Sequence, residues 1–137
     1  MREILFRGKA ANRKRGQSYR TKYKNGDWVY GLLAEPKNWA GYAEMTTTGG
    51  VSGVEVDANT VGQFTGLFDT NDSKIFEGDI VEVSHEALYG KTGVVTFKKG
   101  SFMLENVSDV LTLYGVLPWC KVIGNIHDCP ELLTKGD

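Results

Sequence analysis

Glycine occurs so often in this sequence that few stretches between glycines are long enough for a long helix or strand. Seventeen of the 137 residues are glycine and only three are proline, whereas glycine usually makes up roughly 7% of a protein. Glycine adopts the positive φ angles of tight turns without steric cost, and it weakens a helix when it lies in the interior. The sequence therefore favours short strands joined by tight turns.

The most specific turn signal is the pair Asn25-Gly26. It lies between an extended run at residues 19–23 and the apolar run at residues 28–33. Asn-Gly between two such runs is the strongest short-range hairpin signal, because both residues tolerate positive φ angles. The sequence predicts a hairpin here, with its second strand ending at Pro36, which cannot donate to a strand ladder.

The rest of the chain continues this pattern of short β-branched and apolar runs. Residues 107–116 fit a helix and a strand equally well, and a short helix is predicted from Pro130. We expect a mainly β fold, a short-stranded, Gly-rich barrel or sandwich with little helix. The predicted strands are residues 4–6, 53–57, 60–66, 75–76, 80–83, 93–97, 102–105 and 121–126.

Charge divides the chain into two opposite parts. Residues 1–24 hold nine basic groups and one acid, a net charge of +8, and the remaining residues carry a net charge of −9. The whole-chain value of −1 therefore describes neither part. The apolar runs are too short to cross a membrane, and the N-terminus has no signal-peptide pattern. Two cysteines in such a chain predict reduced thiols, at least one of them partly buried, and a cytoplasmic protein.

Several short sequence segments, taken in order, resemble those of a known family. They are residues 1–9, 25–31, 60–67, 75–81, 93–97 and 122–133. With them the sequence resembles the YopX family of small phage and prophage proteins. The resemblance implies a mainly β fold with an SH3-like barrel in the C-terminal part, and a phage or prophage gene whose product acts in the cytoplasm of the bacterial host. The family brings no assigned catalytic or binding residue.

On this basis we expect one YopX-like unit over residues 1–137, near the usual size of a single domain. A sub-division would separate an N-terminal β region, residues 1–57, from an SH3-like β-barrel region, residues 58–137. The N-terminal region carries a basic insertion at residues 10–23, which looks longer than the corresponding spacer in the family.

Fragments of catalytic and metal-binding motifs occur, but each lacks a defining residue. Residues 90–92 resemble the end of a phosphate-binding loop, but His85 occupies the position of the earlier glycine that this loop needs. Residues 85–89 resemble the start of a zinc-protease helix, but Tyr89 occupies the position of its second histidine. We predict no catalytic residue, no metal site and no cofactor. The other fragments are a calcium-loop-like run at residues 69–73, which we interpret as a polar turn, the carboxylates Glu77 and Asp79, and the metal-capable Cys120, His127 and Cys129.

The basic segment is the best remaining candidate for binding. Lysine and arginine neutralise phosphates, and aromatic rings between them stack on bases. The alternative is a solvated loop, or a segment packed on the acidic remainder of its own or a neighbouring chain. The predicted set for nucleic acid or an acidic partner is Lys9, Arg13, Lys14, Arg15, Tyr19, Arg20, Lys22, Tyr23 and Lys24.

Since no complete catalytic pattern is present, our first hypothesis is a non-enzymatic phage accessory protein. It would act as a β interaction module on a host or phage protein, with no membrane partner, and its strand edges could support a homo-oligomer. The second hypothesis is nucleic-acid binding through residues 9–24. The third is an enzyme of unrecognised type around Glu77, Asp79 and His85.

Overall fold

Ten strands and three short helical segments make up the structure, a computed structural model that describes residues 3–11, 23–36, 40–85, 91–106 and 110–133. The predicted mainly β fold, a barrel or sandwich with little helix, is confirmed. The strands are β1 (Phe6–Ala10), β2 (Trp28–Glu35), β3 (Tyr42–Thr47), β4 (Val54–Phe68), β5 (Lys74–Phe76), β6 (Asp79–Val83), β7 (Thr92–Lys98), β8 (Ser101–Glu105), β9 (Val110–Thr112) and β10 (Cys120–Asn125). The helical segments are α1 (Leu113–Val116) and two 3₁₀ turns, Leu117–Trp119 and Pro130–Leu133.

The chain forms two compact units, Met1–Gln63 and Phe64–Asp137. β4 contributes residues to both of them, because it runs without a break from Val54 to Phe68. The sub-division between residues 57 and 58 stays a prediction. Among the described residues, no helix is both long and apolar enough to span a bilayer.

The first unit contains a closed barrel of four antiparallel strands. β1 pairs with β2, β2 with β3 and β3 with β4, and β4 then pairs with β1 to complete the circle. Successive side chains of a strand point to opposite faces, so every second residue of β2 and β3 faces the interior. Val29, Met45 and Val56 are fully buried there, and removal of this apolar surface from water stabilises the barrel.

The Asn25-Gly26 turn is confirmed, but the predicted strand partner is wrong. Gly26 has a φ of +92°, and its N–H donates to the Ala10 carbonyl at 2.8 Å. The strand opposite Trp28 is β1, with Lys9 as its register partner, and Tyr23 lies outside any strand. The long connection between β1 and β2 hides this pairing from a local pattern. Residues 19–22 of the predicted run lie outside the described residues.

A second correction concerns β4, which we predicted as two short strands at residues 53–57 and 60–66. The structure has one strand of 15 residues. The irregular stretch between the two predicted strands is held by side chains, because the Thr60 hydroxyl donates to the Asp57 carbonyl at 2.6 Å and the Asn59 N–H donates to Asp57 Oδ1 at 3.0 Å. The strand therefore passes through a locally polar sequence without ending.

The second unit is organised around a five-stranded antiparallel sheet in the order β10-β6-β7-β8-β9. β5 pairs with the last residues of β4 in the same unit. The predicted turn at residues 98–101 is confirmed, with positive φ angles at Lys99 and Gly100. The core of this unit contains the buried residues Ile75, Val81, Val83, Val95, Leu104, Leu113, Val116 and Cys120.

Candidate functional site

Three members of the predicted basic set lie in the described part of the chain. Lys9 is on β1 and half-buried, Tyr23 packs against the core of the barrel, and Lys24 is exposed beside the Asn25-Gly26 turn. The Lys24 N–H donates to Asp27 Oδ2 at 2.9 Å, which fixes the turn. The other members lie outside the described residues: Arg13, Lys14, Arg15, Tyr19, Arg20 and Lys22.

Two cations of β1 are held against one aromatic ring of β2. The Arg7 guanidinium carbon lies 4.6 Å from the centre of the Trp28 ring, and Lys9 Nζ lies 5.4 Å from it. A cation over the face of a tryptophan is attracted by the negative potential of the ring. The sequence brings these groups together because Lys9 is the register partner of Trp28, and Arg7 that of Tyr30.

This surface continues along the outer side of β2. Val29 is fully buried, whereas 40% of Tyr30 and 54% of Leu32 is exposed. The alternation places Trp28 and Tyr30 on the same outer face. We call the surface formed by Arg7, Lys9, Trp28 and Tyr30 the hairpin face.

A second candidate surface lies entirely within the second unit. It is an open groove of about 510 Å³ where the end of β4 approaches α1 and the 3₁₀ turn that follows it. The two aromatic residues of this groove are Tyr114, which is 77% exposed, and Phe68, which is 46% exposed. We call this surface the aromatic groove, and it is lined mainly by Phe68, Asp69, Thr70, Tyr114, Leu117 and Pro118.

Asp69 is one of the residues that line this groove. The residue is only 5% exposed, and its carboxylate accepts hydrogen bonds from the N–H groups of Asn71, Ser73 and Val122 at 2.8–2.9 Å. Burial opposes ionisation of this carboxyl, but these N–H groups and the nearby Lys121 outweigh it and hold the pKa of Asp69 below its usual value. The predicted polar turn at residues 69–73 is thereby confirmed.

The thiol of Cys120 lies in the core of the second unit. Its Sγ donates to the Val116 carbonyl at 3.1 Å. Burial, together with the negative charge of Asp69, raises the pKa of Cys120 to about 11. Cys120 and Cys129 are both free, as predicted, and Cys129 is half-buried.

The acid–base candidates have structural contacts of their own. Asp79 is 2% exposed, and its Oδ2 accepts from the Phe76 N–H at 2.7 Å. His85 lies edge-on against Trp119, with their ring centres 4.3 Å apart. Within the described residues, no three side chains of His, Cys, Asp or Glu come close enough together to hold a metal ion.

A comparison with protein families agrees with the resemblance seen in the sequence. The family described as YopX protein matches residues 15–134, most of the chain. The chain belongs to the YopX family. Residues 1–9, which contributed to the resemblance, precede the matched residues.

A solved structure also resembles this YopX-family chain. It is the crystal structure of protein EF1440 from Enterococcus faecalis, with a TM-score of 0.56 and 21% sequence identity. The similarity covers 97% of this chain and 99% of that chain, and at this identity it shows a shared fold. None of the curated proteins matches the chain.

Sequence reasoning missed both surfaces of this YopX-family protein. The alternation of Trp28, Tyr30 and Leu32 with Val29 could have indicated an exposed aromatic face on β2. The aromatic groove has no such local signal, because Phe68 and Tyr114 come from distant parts of the sequence.

Proposed function

We propose that this YopX-family chain is a non-enzymatic, phage-encoded accessory protein that binds a protein partner in the cytoplasm of the bacterial host. The aromatic groove is the observation that carries the proposal. Its ligand is a short segment of a host or phage protein that inserts an apolar or proline side chain. Phage origin and host cytoplasm rest on the family resemblance, and a tagged copy should fractionate with the cytosol.

The groove has the chemistry of a recognition surface. Aromatic residues are enriched at protein interfaces, and binding energy concentrates on a few of them. A volume of about 510 Å³ lies within the usual range of ligand pockets. The carboxylate nearest to it, that of Asp69, already accepts three backbone N–H groups, so the groove offers apolar contact rather than a reactive acid.

We also propose that the second unit is SH3-like, and its strand order supports this. β6 to β9 follow one another across the sheet, a 3₁₀ turn precedes β10, and β10 returns to pair with β6. SH3 domains bind extended, proline-rich peptides in aromatic-lined grooves. The groove here is lined by Leu117 and Pro118 of that 3₁₀ turn.

The test compares affinity capture from host lysate by the wild-type protein and by Tyr114→Ser, with quantitative mass spectrometry. Tyr114 is 77% exposed, so its replacement should leave the fold intact while weakening capture of the specific partner at least tenfold. Phe97→Ser is the matched control, because Phe97 is a 52% exposed aromatic residue that lies outside the groove. Equal capture by all three proteins, or no specific capture by the wild type, would contradict the proposal.

Nucleic-acid binding through residues 9–24 is a second candidate function. It is favoured by the contact of Lys9 with Trp28, which places a cation and an aromatic ring side by side. Labelled DNA and RNA should bind more weakly as salt rises, and the variant Arg13/Lys14/Arg15→Ala should lose most of this binding. Binding that does not depend on salt would exclude this function.

A further inference from the structure

We propose that the hairpin face is an interface for single-stranded nucleic acid, with Tyr30 and the exposed part of Trp28 stacking on bases and Lys9 contacting a phosphate. This inference rests on the second candidate function and deepens it. It names the residues that read the ligand and the class of ligand that fits them.

The spacing of the two rings favours a single strand. Trp28 and Tyr30 are two residues apart on β2, and their side chains lie on one face. Two residues of a strand span about 7 Å, which is twice the 3.4 Å between stacked bases of one duplex strand. Rings at this separation fit unstacked bases, which a single strand can provide. A duplex does not fit them, because its bases stay stacked.

The charges around the rings complement a phosphate backbone. Arg7 is 7% exposed and lies over the Trp28 ring, whereas Lys9 is half-buried and lies nearer to solvent. On β4 the register partner of Lys9 is the acid Asp57, so the two cations of β1, Arg7 and Lys9, outnumber one carboxylate on this side. In the sequence, the connection from β1 to β2 holds five further cations and no acid at residues 12–22.

The ends of this connection are fastened next to the hairpin face. The Ala10 N–H donates to the Asp27 carbonyl and the Gly26 N–H donates to the Ala10 carbonyl, both at 2.8 Å. Ala10 and Asp27 directly follow and precede the pair formed by Lys9 and Trp28. Ala10 and Asp27, between which the basic sequence lies in the chain, are therefore at the edge of the proposed stacking surface.

The barrel holds the face in place before any ligand arrives. Val29, between the two aromatic residues, is fully buried. The Thr48 N–H donates to the Tyr30 carbonyl at 3.0 Å, which fixes the backbone of β2 at this point. Leu32 is paired with Thr46, so both residues next to the face on the β3 side, Thr46 and Thr48, are uncharged. No rearrangement of the strands is needed for two bases to stack here.

The experiment measures fluorescence anisotropy of a labelled 20-nucleotide DNA strand, the same sequence as RNA, and the corresponding DNA duplex. Tyr30→Ala should weaken binding to both single strands about 5- to 150-fold, the effect of one lost stacking contact, and Tyr30→Phe should retain wild-type binding. Lys9→Gln should reduce the magnitude of the slope of log K against log salt by about 0.7 for the single strands, whereas Tyr30→Ala should leave this slope unchanged. Tyr114→Ala is the control variant and should bind like the wild type.

The outcomes separate this inference from the function on which it rests. If single strands and duplex bind equally, or if Tyr30→Ala binds as the wild type does, the hairpin face is not a stacking surface, while nucleic-acid binding itself stands. If neither the strands nor the duplex bind at low salt, both are wrong.

Discussion

Asp69 shows how one side chain can organise a loop and a distant strand together. Two of its hydrogen bonds close the turn locally, at Asn71 and Ser73, and a third comes from Val122, which lies 53 residues later in the chain on β10. The bond from Asn71 follows from the tendency of aspartate to bind the backbone two residues on, and the bond from Ser73, four residues on, closes the same turn. The distant bond does not follow from any local pattern, so only the turn was predictable.

Replacing Asp69 should destabilise the second unit in a pH-dependent way. Asp69→Ala removes the acceptor of three N–H groups, and we expect a loss of about 3 kcal/mol at pH 7. Because the pKa of Asp69 is lowered in the folded protein, its contribution is present above about pH 4 and is lost as pH falls through the lowered value. Urea denaturation from pH 7 to pH 3 should show the two proteins converging.

Asp72→Asn is the matched control for this comparison. Asp72 belongs to the same turn and is exposed with a φ of +60°, a conformation that asparagine tolerates. It should unfold like the wild type at each pH. A constant difference between Asp69→Ala and the wild type across this range would contradict the assigned role of the carboxylate.

The two thiols should differ sharply in reactivity. With a pKa of about 11, only roughly one Cys120 in a thousand is ionised at pH 8, and the side chain is fully buried. Ellman's reagent should therefore label one thiol rapidly in the native protein and two after denaturation. Cys129→Ser should abolish the rapid phase, and two fast thiols in the native wild type would contradict the assignment.

At the scale of elements, β2 carries the strictest sequence requirement. A Cβ at Gly31 would overlap the backbone of Thr46 and Thr47 on β3, so the two strands approach closely only because this residue has no side chain. Such a glycine in a strand marks a close approach of two backbones. The same strand presents Tyr30 and Leu32 outward on either side of it.

Gly31→Ala should therefore lower the free energy of unfolding by at least about 3 kcal/mol, the upper part of the range for overpacking, or prevent folding. The atoms that the added Cβ would meet belong to the backbone of β3, which cannot move aside as a flexible side chain can. Gly49→Ala is the control, since its nearest neighbour, Thr47 Oγ1, would be 3.8 Å from the added Cβ. Thermal unfolding of the two variants measures the difference, and equal melting temperatures would contradict the argument.

Most individual strands could be predicted because their signal is local. The runs at residues 80–83 and 93–97 combine β-branched residues with flanking turns, and both are strands. The choice of partner is not local. β1 pairs with β2 and also with β4, across more than forty residues of chain, and no periodicity in either sequence states this. The aromatic groove, which combines Phe68 with Tyr114, was hidden for the same reason.

At the scale of the whole molecule, the basic N-terminal segment, rather than the net charge, should govern binding of the protein to a cation exchanger. The net charge of −1 predicts weak retention on a cation exchanger at pH 7, but the first 24 residues carry +8, and a concentrated patch dominates binding to a charged surface. We expect clear retention, lost in Arg13/Lys14/Arg15→Ala. Glu82→Gln, which changes the charge outside this segment, should be retained like the wild type, and flow-through of the wild type would contradict the prediction.

Closure of the barrel has a consequence for the order of events during synthesis. Of the four barrel strands β1 is translated first, yet one of its two neighbours, β4, follows about fifty residues later in the chain. This sequence separation determines how long the chain must grow before the barrel can close. Until then β1 and β3 each lack one strand partner, and the barrel exists as an open sheet with unpaired backbone groups. The nascent chain is therefore most exposed to unwanted strand pairing in the interval before β4 arrives, and pauses in translation within residues 48–63 would lengthen that interval.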